Sequence, residues 1–132
     1  MFFLARLAIM LYMDKPLTVF FLTMSLLFVG AHIAAMHFSF YWYFWWADIV
    51  MHSWGGVLVG LGMHVLASLS SVPVRATLLW VVAALLVATL SWEVFERSFG
   101  LFNPDGYLLD TSIDIFLGFT GGLLAHFWLA RR

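Results

Sequence analysis

DIVMHSWGGVLVGLGMH, residues 48–64, decides the fold. It opens with Asp48 and then places His52, Gly56, Gly60 and His64 at intervals of four. Residues 110–126, DTSIDIFLGFTGGLLAH, repeat the plan with Asp110, Asp114, Gly118, Gly122 and His126, at a constant offset of 62. Each stretch is apolar between its polar residues and extends, with its flanks, to the ~20 residues that cross a bilayer. A purely structural membrane helix needs no carboxylate at its head. The two heads, with Glu93 and Glu96 between them in sequence, are therefore expected to form one polar site.

The composition supports the membrane reading. Of 132 residues, 64% are hydrophobic and only 10% charged, whereas charge supplies about a quarter of a soluble domain. The chain has room for four spanning helices and little else, and reads as a single membrane domain. A net charge of −1 argues against nucleic-acid binding. With no cysteine, disulfides and thiolate chemistry are excluded. There is no Walker loop, GxSxG or HExxH, so those reaction classes have no support.

Along the chain, residues 1–13 are apolar but too short to span, and lack the basic start and cleavage site of a signal peptide. They are expected to form a short N-terminal interfacial helix. Asp14 and Pro16 suit a helix start. The spanning helices are expected at about 17–37, 48–70, 74–97 and 108–130. Eight of the nine residues in FSFYWYFWW, 38–46, are aromatic, which suits a belt at a membrane–water boundary. SFGLFNPDGY, 98–107, is a loop rich in turn residues.

Arg6, Lys15, Arg75, Arg131 and Arg132 fall on one side of this arrangement and Arg97 alone on the other. The positive-inside rule then places both termini in the cytoplasm. The acids divide the opposite way: Asp48, Glu93, Glu96, Asp105, Asp110 and Asp114 lie at the outer ends of three helices. His52, Glu93 and Asp114 sit about one turn further in than Asp48, Glu96 and Asp110, at ~1.5 Å per residue. His37 is close enough in sequence to reach the same layer. The repeat implies an all-α four-helix membrane bundle of two pseudo-symmetric hairpins related by an axis along the membrane normal. Steps of four residues drift by roughly 40° each on a straight helix, so His64 is not assigned to the site of Asp48 and His52.

Asp48-x-x-x-His52, Glu93-x-x-Glu96 and Asp110-x-x-x-Asp114 each put two ligand-type side chains on one helix face. Such pairs on facing helices build metal sites within bundles, and ionisable groups within a membrane segment point to function. Two chemistries fit. The six residues bind a divalent ion, with mixed oxygen and nitrogen donors suiting zinc, manganese or iron; or the carboxylates share protons and act as a general acid/base. Boundary residues wetted by headgroups are the plainer alternative, strongest for Asp48, Glu96 and Asp110. Arg97 is a snorkelling cation or a partner for a carboxylate or phosphate.

Gly56/Gly60 and Gly118/Gly122 are small-xxx-small pairs that let helices approach closely. His32, His64 and His126 lie deeper or toward the inner side. They are expected to serve as interhelical hydrogen-bonders, with axial ligation of haem or a pigment as the alternative.

Asp48-IVM-His52-SW-Gly55-Gly56, Trp92-Glu93-VF-Glu96 and Asp110-Thr111-SI-Asp114-IFL-Gly118 resemble the YjdF-type family of bacterial inner-membrane proteins and, more distantly, VanZ-like proteins. In the VanZ-like pattern Gln stands at the place of Glu96 and Asn at that of Asp114, so this chain is the more acidic. The resemblance implies a small multi-pass protein of the bacterial inner membrane, and the association of VanZ-like members with glycopeptide tolerance implies envelope chemistry. The expectation is an outward-facing acid/His site that binds a divalent metal and acts on an envelope or lipid-linked substrate, with membrane lipid as a partner. The alternative is a small accessory subunit of a larger membrane complex, associated with haem or pigment. The oligomeric state is left open between a homo-oligomer and a larger membrane complex.

Overall fold

The computed structural model describes residues 15–69, 73–102 and 104–131. Five helices follow one another: α1 (Lys15–His37), α2 (Phe40–Tyr43), α3 (Trp45–Ser68), α4 (Leu78–Phe99) and α5 (Tyr107–Ala130). All but α2 are long and apolar enough to cross a membrane, and no strand occurs among the described residues. The chain is an all-α membrane bundle. The expected interfacial helix at residues 1–13 lies outside the described residues.

Helix ends follow local chemistry. α1 begins at Lys15 with Pro16 in its first turn, where a missing N–H costs nothing. Ser39, in the left-handed region at φ 58°, turns the chain into α2, so half of the aromatic belt is one helical turn rather than loop. α3 begins three residues earlier than the sequence suggests. Asp48 thus falls in its first turn, where a carboxylate meets the positive end of the helix dipole. α4 begins at Leu78 rather than near 74, because the Thr77 hydroxyl caps it by accepting from the Trp80 N–H at 3.5 Å. It ends at Gly100, whose φ of 69° lets the Leu101 N–H return to the Glu96 carbonyl at 2.9 Å.

The architecture is centred on α3 and α5, the two mates of the sequence repeat, which lie against each other along their lengths. α4 packs on both of them, whereas α1 packs on α3 and, among the described residues, brings no Cα within 8 Å of one in α5. The hairpins are therefore not equivalent. Glycine makes the central contact. A Cβ at Gly56 would collide with the carbonyl of Gly118, and one at Gly60 would lie 2.5 Å from the Gly122 oxygen. Gly121, outside the row of four, is equally constrained: a Cβ there would strike the Ser53 carbonyl. Lipid tails are as apolar as leucine, so close van der Waals approach of this kind, rather than exclusion of water, holds such helices together. Leu85 and Val81 of α4, both fully buried, pack with Met63 beneath the pair.

The expected drift of the row does not carry it off the interface. Residues spaced by four lie along a line inclined to the helix axis, and two helices that cross along such lines keep them in contact. Gly56 meets Gly118, Gly60 meets Gly122, and His64 meets His126.

Candidate functional site

The N-terminal ends of α3 and α5 and the C-terminal end of α4 bring all six candidate residues together. His52 stands at the centre. Its Nε2 is 3.3 Å from Asp48 Oδ1, one turn earlier on α3, and 3.7 Å from Asp114 Oδ1 across the α3–α5 interface. Ligand-type atoms lie within 4.8 Å of one another in three overlapping groups: Asp48, His52 and Glu96; His52, Glu93 and Asp114; and Asp48, Asp110 and Asp114. Their burial differs. Asp114 and Glu93 are only 5% and 7% exposed, Asp48 is half-buried, and Asp110 is open to the surroundings.

The close glycine crossing is what makes the 3.7 Å contact reachable. Gly56 and Gly118 lie one turn inward of His52 and Asp114, so the backbone separation at that level sets how near the imidazole and the carboxylate come. The 3.7 Å separation is too long for a hydrogen bond. It suits the edge of a coordination shell, where two donors each ~2.1 Å from one ion stand ~3–4 Å apart. The donor set of carboxylate oxygens and an imidazole nitrogen likewise fits zinc, manganese or iron.

Several further residues complete the site. The Thr111 hydroxyl donates to Glu93 Oε2 at 2.7 Å, so the deepest α4 carboxylate is held from α5. A cavity of about 280 Å³ adjoins the site, with Asp48, His52, Glu96, His32, Tyr41 and Trp92 among its walls. His32 therefore borders the same cavity as Asp48, His52 and Glu96 rather than standing apart from the cluster. Its Nδ1 lies 2.7 Å from the Tyr41 hydroxyl, and its ring meets Trp92 edge-on at 5.4 Å. Burial, with the Asp48 and Glu96 carboxylates nearby, pushes the Tyr41 hydroxyl up to about 12 from its usual 10.0, so it remains a neutral phenol. His37 packs its ring edge-on against Phe38, 4.9 Å between centroids. Arg97 lies over the Tyr107 ring, 5.1 Å from its centroid.

The C-terminal ends of α3 and α5 form a separate feature. His64 Nε2 and His126 Nδ1 are 3.0 Å apart, joining the two repeat mates as the interhelical hydrogen-bonding reading expects.

Tyr41 and His32 escaped the sequence reading because they converge through the turn at Ser39, which no spacing rule exposes. Thr111 had a visible signal: a hydroxyl one residue after Asp110, on the face toward α4.

No curated protein and no solved structure matches the chain. The family described as a predicted membrane protein, DUF2238, matches it over residues 1–132, and the chain belongs to that family.

Proposed function

We propose that the cluster at the outer ends of α3, α4 and α5 binds a divalent metal ion, zinc, manganese or iron, and acts on an envelope or lipid-linked substrate. The observation that carries this reading is the gathering of five carboxylates and one imidazole into three overlapping groups, within each of which ligand atoms lie within 4.8 Å of one another, inside a membrane bundle. Like charges packed this closely repel strongly where the dielectric is low. The cation nearest in sequence, Arg97, is engaged with the Tyr107 ring. A divalent ion relieves that repulsion and supplies Lewis acidity to a substrate oxygen. Asp48, His52, Glu93, Glu96, Asp110 and Asp114 are its candidate ligands. Thr111 orients Glu93, and helix packing through Gly56 and Gly118 holds His52 near Asp114.

The setting follows the same reading. The resemblance to YjdF-type and VanZ-like proteins supports a place in the bacterial inner membrane, and the lysine and arginine distribution supports cytoplasmic termini with the site facing outward.

Elemental analysis of the detergent-purified protein tests the metal. Stoichiometric zinc, manganese or iron that is lost in His52→Ala and in Asp114→Ala is the expected result; folded wild-type protein with none overturns it. An absorbance spectrum and native mass from the same sample test the rival reading. Visible absorbance with co-purifying chains would support an accessory subunit carrying haem or pigment.

A further inference from the structure

The cavity beside the cluster combines acids with aromatic rings. Two carboxylates line it, Asp48 of α3 and Glu96 of α4, and no lysine or arginine does among the described residues. Phe28 of α1, Tyr41 of α2 and Trp92 of α4 line it as well. These rings are gathered rather than scattered. The His32 imidazole stands 6.5 Å from Phe28, 5.8 Å from Tyr41 and 5.4 Å from Trp92, centroid to centroid. Acids and rings share one region of the wall. Asp48 and Glu96 bring carboxylate oxygens within 4.8 Å of each other, and burial, then these two charges, push the neighbouring Tyr41 hydroxyl up to about 12.

Each feature excludes a class of occupant. Two carboxylates this close repel an anion and draw a cation. Aromatic rings add to that attraction through the negative faces of their π-systems. A neutral molecule uses neither. A primary ammonium is strongly hydrated, and its three N–H donors need acceptors once it leaves water, which rings supply poorly. A quaternary ammonium has no N–H to satisfy. Its charge is spread over alkyl groups, which pack on the rings and on Met51, Leu58 and Val59 elsewhere on the wall. At about 280 Å³ the cavity lies just below the roughly 300–1,000 Å³ of common ligand pockets, so the fit is to a small ion.

We infer that this cavity binds a small quaternary ammonium ion, its charge paired with Asp48 and Glu96 and its alkyl groups against Phe28, Tyr41 and Trp92. One such ion offsets both carboxylates. The site does not rest on the metal reading above. A metal ion held by His52, Glu93 and Asp114 leaves Asp48 and Glu96 to the cavity, and without a metal their charge faces it all the same.

Calorimetry on the chelator-treated protein in dodecyl maltoside, an uncharged detergent, tests this. The probes are choline; dimethylbutanol, which has the same shape without the charge; and ethanolamine, which has the charge without the methyl groups. Choline is expected to bind at least roughly tenfold tighter than either, a difference of ~1.4 kcal/mol. Trp92→Leu and Phe28→Leu should each weaken choline roughly three- to tenfold, and Glu96→Gln about tenfold. Dimethylbutanol bound as tightly as choline overturns the pairing with the carboxylates, and ethanolamine bound as tightly overturns the role of the rings. Choline affinity unchanged in both ring variants, or no choline binding by folded wild-type protein, overturns the site itself. Two ring variants are used so that misfolding of one does not decide the outcome. Elemental analysis before chelation decides the metal reading separately, whichever way choline binds.

Discussion

Adding one methyl group at Gly56 should damage the site without touching any of its ligands. In Gly56→Ala the new Cβ falls on the Gly118 carbonyl, well inside contact distance. Both partners are backbone, so no side-chain rotation relieves the overlap, and α3 and α5 must move apart. Inserting a methyl into a packed core usually costs ~1–3 kcal/mol, and a backbone-on-backbone clash belongs at the upper end, about 3 kcal/mol. Separation by ~1 Å at this level widens the 3.7 Å gap between His52 and Asp114 one turn outward. Metal affinity should therefore fall on the order of tenfold or more, as second-shell losses do. Gly55→Ala is the control: its Cβ meets only the Phe28 ring, at an ordinary 3.7 Å, and should leave stability and metal content near wild type. Equilibrium unfolding of the detergent-solubilised proteins, with metal titration of each, reads both effects. A Gly56→Ala protein as stable and as metal-competent as Gly55→Ala would refute the idea that the glycine crossing sets the ligand geometry.

Other perturbations probe separate parts. Thr111→Val removes the donor to Glu93 and should destabilise the fold by ~1–3 kcal/mol, with Thr111→Ser restoring most of the loss in the same unfolding assay. A double-mutant cycle on His64 and His126, each changed to Phe, should give a coupling of about 0.6–1.7 kcal/mol for the interhelical hydrogen bond; strict additivity would mean that the two rings do not interact. Tyr41 carries a pH signature. Its hydroxyl loses a proton near 10.0 in the unfolded chain but only at about 12 when folded, so stability is full below pH 10 and falls as the pH climbs toward 12. Tyr41→Phe should remove that alkaline loss in unfolding curves taken across the range.

Much of this was legible because membrane helices advertise themselves. Length and apolarity located α1, α3, α4 and α5 to within a few residues. The repeat at a fixed offset named α3 and α5 as mates, and the acids at three helix ends marked one layer. The misses have physical reasons. α4 starts late because Thr77 offers a side-chain cap that the apolar run before it conceals. The row through His64 stayed on the interface because the helices cross, which a straight-helix projection cannot represent. His32 and Tyr41 meet through a single left-handed serine, and that geometry has no sequence spacing to betray it. The unequal packing of α1 and α4 against the central pair is likewise invisible in a symmetric repeat, and it is this inequality that opens the cavity.

The His64–His126 bond has a consequence for how the two central helices count. Glycines every four residues make a ratchet with notches ~6 Å apart, and a ratchet alone does not say which notch is home. Sliding α3 by one notch would still seat Gly60 or Gly56 against a glycine of α5, but would set His52 opposite Gly118 or pass it beyond Asp114, and the outer cluster would be out of step. The histidine pair at the far end marks this setting, since a slide of one notch either way leaves His64 opposite Gly122 or Ala130 instead of His126. It acts as a registration mark, distant from the acid/His cluster, that keeps His52 of one repeat and Asp114 of the other at the same level.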